Sequence, residues 1–414
     1  MPKFKIKKLD NGITLLMCND PTKHIVNVTI TTRYGGAITD FKVGNNKYSI
    51  TSGMAHFLEH YLIEYSKYGN AFKYFTQDKY ADFNGYTSSD YTEFYVETPH
   101  DYLELFKELL DIVNKPIFTQ ENIDSNKPAI IEEINKKEDD QYGKFYFFTM
   151  NNIFKKFKFH HSLGTKEEIQ NLKLDEVKLA YDAFYRPDNQ TISISGCFDE
   201  EEVIKLVNNY FKKDTNKEKV TIKKVKEPLE VNKKYADMYD KVHDTYTRIT
   251  YKLSLKGYKQ KELIKLMYYL GIYLDNCFDA SSEIYQQLVE DKVIEYNINY
   301  GYDIFDNILM IYFTDHTLKS KEFIDGITKT INCKKYDEEF FNLALSKSLI
   351  SFVIRQDDPH KKMRQQQSYY FDFNYKKEIK IKDYEQFNFK EYQEYINKLS
   401  FDNYGVTEMK QEEK

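Results

Sequence analysis

Apolar residues recur along this chain in two rhythms, and the rhythm switches repeatedly. Residues 13–17 and 25–32 alternate or are rich in β-branched side chains, which predicts strands. Asn11-Gly12 marks a turn before the first, and Gly35-Gly36 breaks the second. Residues 40–52 are polar and read as irregular. A helix then begins around His56 and stops near Gly69. Asn84-Gly85 reads as a turn before a strand over 91–97, predicted from its Tyr, Phe, Val and Thr content. Leu103, Phe106, Leu110 and Val113 fall at helical spacing, so 101–113 is expected to be an amphipathic helix closed before Pro116. Ser125 or Asn126 can cap the next helix, with Pro128 tolerated in its first turn. Residues 145–159 are aromatic at helical spacing, which fits core or partner-facing packing. A helix over 174–184, a turn at Pro187-Asp188-Asn189, a strand over 191–195 and a helix over 200–211 follow.

Residues 212–234 are Lys-rich and include Pro228, the best boundary in the chain. The order then repeats. A strand is expected over 247–255, helices over 261–274 and 281–289, and strands over 294–300 and 309–313. The last helix carries Phe389, Tyr392, Ile396 and Leu399, and from Glu408 the chain reads as a frayed tail. The pattern predicts an α+β protein of two similar α/β halves. The first domain is expected over 1–212, a linker over 213–236, and a second domain of the same fold over 237–414.

Composition narrows the class. At 414 residues the chain can bury large cores. Hydrophobic residues are 41% and charged residues 30%, which is globular and not disordered. A net charge of -5 gives no reason to expect nucleic acid or an anionic membrane as partner. No run approaches the roughly 18 apolar residues of a membrane span, and the basic N-terminal stretch lacks an apolar signal core. Cys18, Cys197, Cys277 and Cys333 are far apart without a C-x-x-C, so neither disulfides nor a Cys-type zinc site is expected. A cytoplasmic, reducing location fits. With 37 Tyr, 30 Phe and no Trp, Tyr and Phe must supply the aromatic core.

The chemistry concentrates at His56-Phe57-Leu58-Glu59-His60, which reads H-x-x-E-H, an inverted zinc-protease motif. On a helix, His56, Glu59, His60 and Ile63 share one face, and Met54, Phe57, Leu58, Tyr61, Leu62 and Tyr65 fill the opposite arc. Two His at i and i+4 can reach one ion, and Glu59 stands where a carboxylate can take a proton from water. A second carboxylate source lies beyond Pro128, where Glu132 and Glu133 sit among Ile130, Ile131 and Ile134. Glu132 points nearly opposite the isoleucine arc, and Glu133 lies nearer its edge, where a buried metal wants its ligand. His160-His161 is a weaker candidate, since chain neighbours rarely point at one ion.

These residues resemble the pitrilysin/insulinase zinc peptidases, particularly the processing-peptidase-like branch. Gly53 to His60 resembles the signature. Asn84-Gly85-Tyr86-Thr87 with Tyr91-Thr92-Glu93-Phe94 is similar to the family's Asn-Ala-x-Thr strand region. The stretch from Pro128 to Ile134 resembles its third-ligand helix, and His161-Ser162-Leu163-Gly164-Thr165 its His-Pro-x-Gly loop, with serine for proline. Phe184 to Asn189 resembles its Tyr-x-Pro-x-Asn turn. The resemblance implies about one zinc per chain on His56, His60 and Glu133, with Glu59 as general base. It implies half of a clamshell chamber that takes peptides or unfolded precursor segments, with Asn84 and its strand holding an extended substrate.

Two departures stand out. Asn126 occupies a place, seven residues before Glu133, where the family often has an acid. Val289 stands where an Arg is expected ahead of a strand-opening Tyr, here Tyr296. A heterodimer with a paralogue supplying an Arg/Tyr pair is therefore expected, and otherwise a homodimer. The alternative function is a non-catalytic structural or peptide-binding subunit of a larger complex.

Overall fold

The computed structural model describes residues 2–159, 162–211, 218–223 and 225–412, so the His160-His161 pair and part of the Lys-rich stretch lie outside it. Its strands in chain order are β1 Lys3–Lys8, β2 Thr14–Asn19, β3 Val26–Thr32, β4 Asp40–Val43, β5 Asn46–Ser49, β6 Asp82–Thr87 and β7 Thr92–Thr98. There follow β8 Gln190–Gly196, β9 Val220–Ile222, β10 Tyr235–Asp240, β11 Thr245–Ser254, β12 Asn299–Phe305, β13 Ile308–Thr317 and β14 Tyr404–Gln411.

Two large sheets form, one from each half. The first runs β1-β2-β8-β3-β7-β6 and the second β10-β14-β11-β13-β12. Without β1, both place their strands in the order first, fifth, second, fourth, third. Both also have one parallel pairing, between the first strand and the last: β2 with β8, and β10 with β14. The two halves thus repeat one topology, an α+β arrangement of antiparallel-dominated sheets packed with helices. A small third sheet, β5-β4-β9, ties the Lys-rich stretch back to the first half.

Alternation along each strand decides the layers. Val28 and Ile30 of β3, Phe94 and Val96 of β7, and Ile192 and Ile194 of β8 are all 0% exposed. They face helices Met54–Glu64, Tyr102–Asn114, Gln120–Glu138 and Leu174–Phe184, whose Phe57, Leu109, Ile130 and Val177 join the same core. Each such side chain contributes about 1.5–3 kcal/mol by leaving water. The second core repeats this with Ile249, Ile311 and Phe313 against Leu270, Phe341 and Ile396.

The other face of each sheet is covered by a helix from the opposite half. Helix Pro359–Phe373 lies on β2 and β8, packing Met363 and Tyr370 on Leu16 and Cys18. Its His360 Nδ1 meets Ser195 Oγ at 2.8 Å, and Gln367 donates to Glu93 at 2.7 Å. Helix Gln141–Ile153 reciprocates on the second sheet, setting Met150 and Ile153 against Ile308 and Met310, and Phe145 against Met409. The aromatic stretch expected to serve the core or a partner therefore packs inside this chain.

Several expectations change. Residues 40–52, expected to be irregular, form the hairpin β4–β5, held because Phe41 is buried and pairs with Ile222 of β9. Asn84-Gly85 is no turn but the middle of β6, opposite Tyr95 and Phe94. Gly85 serves close approach, since a Cβ there would lie 3.0 Å from the Phe94 ring. The His56 helix ends at Glu64, well short of Gly69. The next helix starts at Gln120, because Thr119 caps it by accepting from Asn122 N–H at 3.1 Å. Pro128 is interior to that helix, on its exposed side, where water can serve the carbonyl it leaves bare. In the Lys-rich stretch, Glu227 is buried against Lys252 at 2.9 Å, so this part is a pinned strap. Residues 294–298 precede β12 without strand structure, so Tyr296 opens no strand. Glu408 belongs to β14, an interior strand. Its buried carboxylate accepts from Tyr235 at 2.6 Å and pairs with Lys410 at 3.3 Å.

Candidate metal centre

Helix Met54–Glu64 is aimed by the backbone in front of it. Gly53, its N-cap, has φ +81, and a Cβ there would come within 2.2 Å of the Leu163 carbonyl oxygen. Gly164 answers with φ +78, and its Cβ would meet the Ser52 carbonyl oxygen at 2.2 Å. Two glycines thus lock the start of the helix against the loop at 162–165. Thr165 and Glu168 form a capping box there, and Glu168 also accepts from Ser52 Oγ. Beyond this start, Phe57, Leu58, Tyr61 and Leu62 anchor the helix in the core, and Tyr61 donates to the Ile117 carbonyl at 2.8 Å.

The polar face is covered too, because helix Gln120–Glu138 and β6 close over it. His56 is 7% exposed and Glu59 6%; His60 and Glu133 are half-buried. His56 Nε2 and His60 Nε2 each lie 3.5 Å from Glu133 Oε2. The three ligand atoms fall within 4.8 Å of one another, and this is the one such group of His, Cys, Asp and Glu found among the described residues. Glu132 points to solvent instead and pairs with Lys136 at 2.8 Å.

Burial pushes His56 down to about 3, with His60 adding to the effect. Burial lowers His60 as well, against the opposing pull of Glu133 and Glu64. Both rings are neutral near pH 7. Two neutral imidazoles, each with one lone-pair nitrogen, converge with a carboxylate, and this donor set suits a divalent cation of the zinc type. His56 Nδ1 is buried without a partner, as is Asn126 Nδ2 on the facing helix. Asn126, two turns before Glu133 on that helix, is 2% exposed.

Glu59 lies beside the three ligand residues. Its Oε2 accepts from Thr87 Oγ1 at 2.6 Å, and Thr87 is 3.2 Å from Thr92, which donates to the Tyr34 carbonyl at 2.9 Å. Burial raises the Glu59 carboxyl to about 7; the Thr87 hydrogen bond opposes this and the Glu133 charge adds to it. The Tyr185 hydroxyl is buried, and is pushed up by burial first and by the Glu59 charge second, with Thr92 opposing. Thr87 and Tyr185 lie inside the motif stretches noted in the sequence, but residue type alone did not mark them as neighbours of Glu59.

Asn84 is exposed on β6, the edge strand of the first sheet, and accepts from Gly85 N–H at 2.8 Å. Tyr296 stands apart from the cluster, 75% exposed between helix Glu283–Glu290 and β12. The structure therefore brings together His56, His60, Glu133 and Glu59, places Asn84 on the adjoining strand, and leaves Tyr296 in the other half. The helix at the matching place in that half, Gln260–Phe278, carries no His. Among the described residues no helix is long and apolar enough to cross a membrane.

A duplicated α+β chain with an H-x-x-E-H helix under one sheet defines half of a clamshell of the peptidase type. Two sequence profiles match it, "Insulinase (Peptidase family M16)" over residues 18–166 and "Peptidase M16 inactive domain" over 171–344. The chain belongs to the pitrilysin/insulinase family of peptidases. It is 27% identical over 301 residues to the protein named zinc protease YmfH of Bacillus subtilis (strain 168), covering 72% of this chain and 70% of that one. The fold matches an M16-like peptidase of Alicyclobacillus acidocaldarius with a TM-score of 0.84 at 21% identity, over 99% of both chains. It also matches the periplasmic protease PqqL of Escherichia coli with a TM-score of 0.68 at 15% identity, over 99% of this chain and 47% of that longer one.

Proposed function

We propose that this chain is a zinc metalloendopeptidase that cleaves peptides or unfolded precursor segments inside a closed chamber. The observation that carries this is the convergence of His56, His60 and Glu133 with the buried Glu59 beside them. His56, His60 and Glu133 would hold the metal. A bound zinc supplies Lewis acidity, polarising a carbonyl and making water easier to deprotonate. Glu59 accepts the proton of the attacking water on its carboxylate and returns it to the departing amide nitrogen. Burial raises this carboxyl above its ordinary value in the metal-free chain, a direction that favours holding a proton between the two transfers. Thr87 holds one oxygen of that carboxylate in place. The free edge of β6 receives the substrate as an added strand beside Asn84.

Metal analysis tests the ligand set. The purified chain is expected to hold about one zinc. Glu133→Gln should greatly reduce it, and Glu132→Gln should leave it intact. Equal loss from both variants would sink the assignment.

The chain supplies a Tyr, Tyr296, but Val289 where an Arg would face a zinc site from another half. We therefore read it as the zinc-bearing member of a heterodimer whose paralogue brings the Arg/Tyr pair, a homodimer being the fallback. Mixing with a relative that lacks the zinc motif should raise peptide turnover and give a heterodimer by light scattering. Full activity alone, with no gain on mixing, would rule the partnership out. The second reading is a non-catalytic structural or peptide-binding subunit. It draws on the missing Arg and on the profile named for an inactive domain, and peptide turnover that requires Glu59 separates the two. Four free cysteines suit a cytoplasmic site of action.

A further inference from the structure

The chain pairs its buried lysines and arginines with carboxylates, save one. Lys127, Arg186, Lys252 and Lys362 meet Asp124, Asp188, Glu227 and Glu378. Arg248 of β11, 9% exposed, makes no hydrogen bond or ion pair among the described residues. A guanidinium keeps its charge inside a protein, and a buried charge without a partner is costly.

The surroundings do not supply the anion. Ile249 and Tyr251 point into the second core, so Arg248 and Thr250 point to the other face of the sheet. There the guanidinium lies 4.1 Å from the centre of the Tyr312 ring, with the Tyr146 ring of helix Gln141–Ile153 at 5.9 Å. Aromatic faces attract a cation without neutralising it. Tyr312 reaches across Gly301 of β12, where a Cβ would lie 2.5 Å from its hydroxyl oxygen. Thr314, opposite Arg248, and Thr250 have buried hydroxyls that are unpartnered as well. Arg248 Nε is sealed without a partner, whereas its two terminal nitrogens are not among the sealed atoms. Asp303, exposed on β12, acts on the guanidinium through space but forms no ion pair with it.

We propose that Arg248 receives one carboxylate of a peptide, either its C-terminus or an Asp or Glu side chain. That the carrier is a peptide rests on the peptidase reading above; that the group is a carboxylate rests on Arg248 itself. The planar fork of a guanidinium matches the two oxygens of a carboxylate. The Asp303 charge favours a single negative charge over the double charge of sulfate. The site shares no residue with the His56–Glu133 cluster.

The test is calorimetry on the full chain carrying Glu59→Gln, so that added peptide stays intact. One probe is an N-acetylated octapeptide of neutral residues, with its C-terminus free or amidated. A second is the amidated peptide with one internal Glu or Gln. At least one acid form should bind about tenfold or more tightly than its neutral twin. A gap for the first pair assigns the C-terminus and a gap for the second the side chain; either supports the site. Arg248→Met should abolish the gap and leave the melting temperature of the ligand-free chain unchanged or raised, because it removes an unpaired buried charge. Asp303→Asn, at an exposed position, should tighten the acid form and let sulfate compete, as it does not in the parent. The idea is overturned if both acid forms bind like their neutral twins, if the gap survives Arg248→Met, if Arg248→Met lowers the melting temperature, or if Asp303→Asn weakens the acid form. Binding is read without hydrolysis, so a failure of the peptidase reading, seen as no turnover by the parent chain, is a separate result.

Discussion

Glu59 is nearly sealed from water, with Thr87 as its hydrogen-bond donor. Glutamine in its place keeps the shape and an oxygen for Thr87 but cannot take a proton. Glu59→Gln should therefore retain zinc and fold while losing about 10²–10⁴-fold in peptide turnover; near-parental cleavage would refute the assignment. Asp111 shows the opposite use of a buried carboxylate. Burial alone would raise its carboxyl, but hydrogen bonds from Lys115 at 2.7 Å, Lys67 at 2.6 Å and Tyr210 at 2.8 Å hold it well below the usual range. A depressed folded value adds stability above the unfolded carboxyl's pKa, and that stability is lost as pH falls through the folded one. Asp111→Asn should cost about 1–3 kcal/mol at neutral pH. The gap from the parent in melting temperature should narrow once pH drops below roughly 4. A gap that stays constant into acid would show that packing, not charge, accounts for the loss.

At the scale of elements, the start of the His56 helix depends on Gly53 and Gly164 meeting face to face. Gly69 offers a control, because it too is left-handed, φ +80, yet a Cβ there meets nothing within 4 Å. Gly69→Ala should cost only the backbone term of about 1–2 kcal/mol. Gly164→Ala should cost visibly more by calorimetry and should also weaken zinc retention, since it tilts the helix that carries both histidines. Equal costs and unchanged metal would mean that the loop does not aim the helix. The helix that carries His56 and His60 and the Glu133 carboxylate that faces it were legible in the sequence as a candidate centre, because a five-residue motif and an isoleucine arc are local signals. Elements fixed by distant contacts were not. Asn84-Gly85 has turn chemistry, but pairing with Phe94 and Tyr95 overrides it. The Glu/Lys-rich end looked frayed because Tyr235, which donates to the buried Glu408, lies across a strand pair that no local pattern announces. Thr87 was passed over for the same reason: its hydroxyl matters only once β6 is laid beside the helix.

For the molecule as a whole, the duplication is joined by exchange. Each sheet is finished by a helix from the other half, so the halves should not open independently. Native-state hydrogen exchange should show the amides of Gln141–Ile153 opening with β10 and β14, and those of Pro359–Phe373 with β2 and β8. Protection that instead follows each helix's own half would show the exchange to be loosely held. The same arrangement bears on how the chain is born. β14 is the last strand of the second sheet to leave the ribosome, yet it is the one that stitches β10 to β11. Until it emerges, the second sheet stays split, and Phe145, Met150 and Ile153 have no finished surface to settle on. At roughly 5–20 residues per second, the exposure of that greasy helix is timed by translation itself, and a nascent chain that stalls before Tyr404 is the form a chaperone would have to shelter.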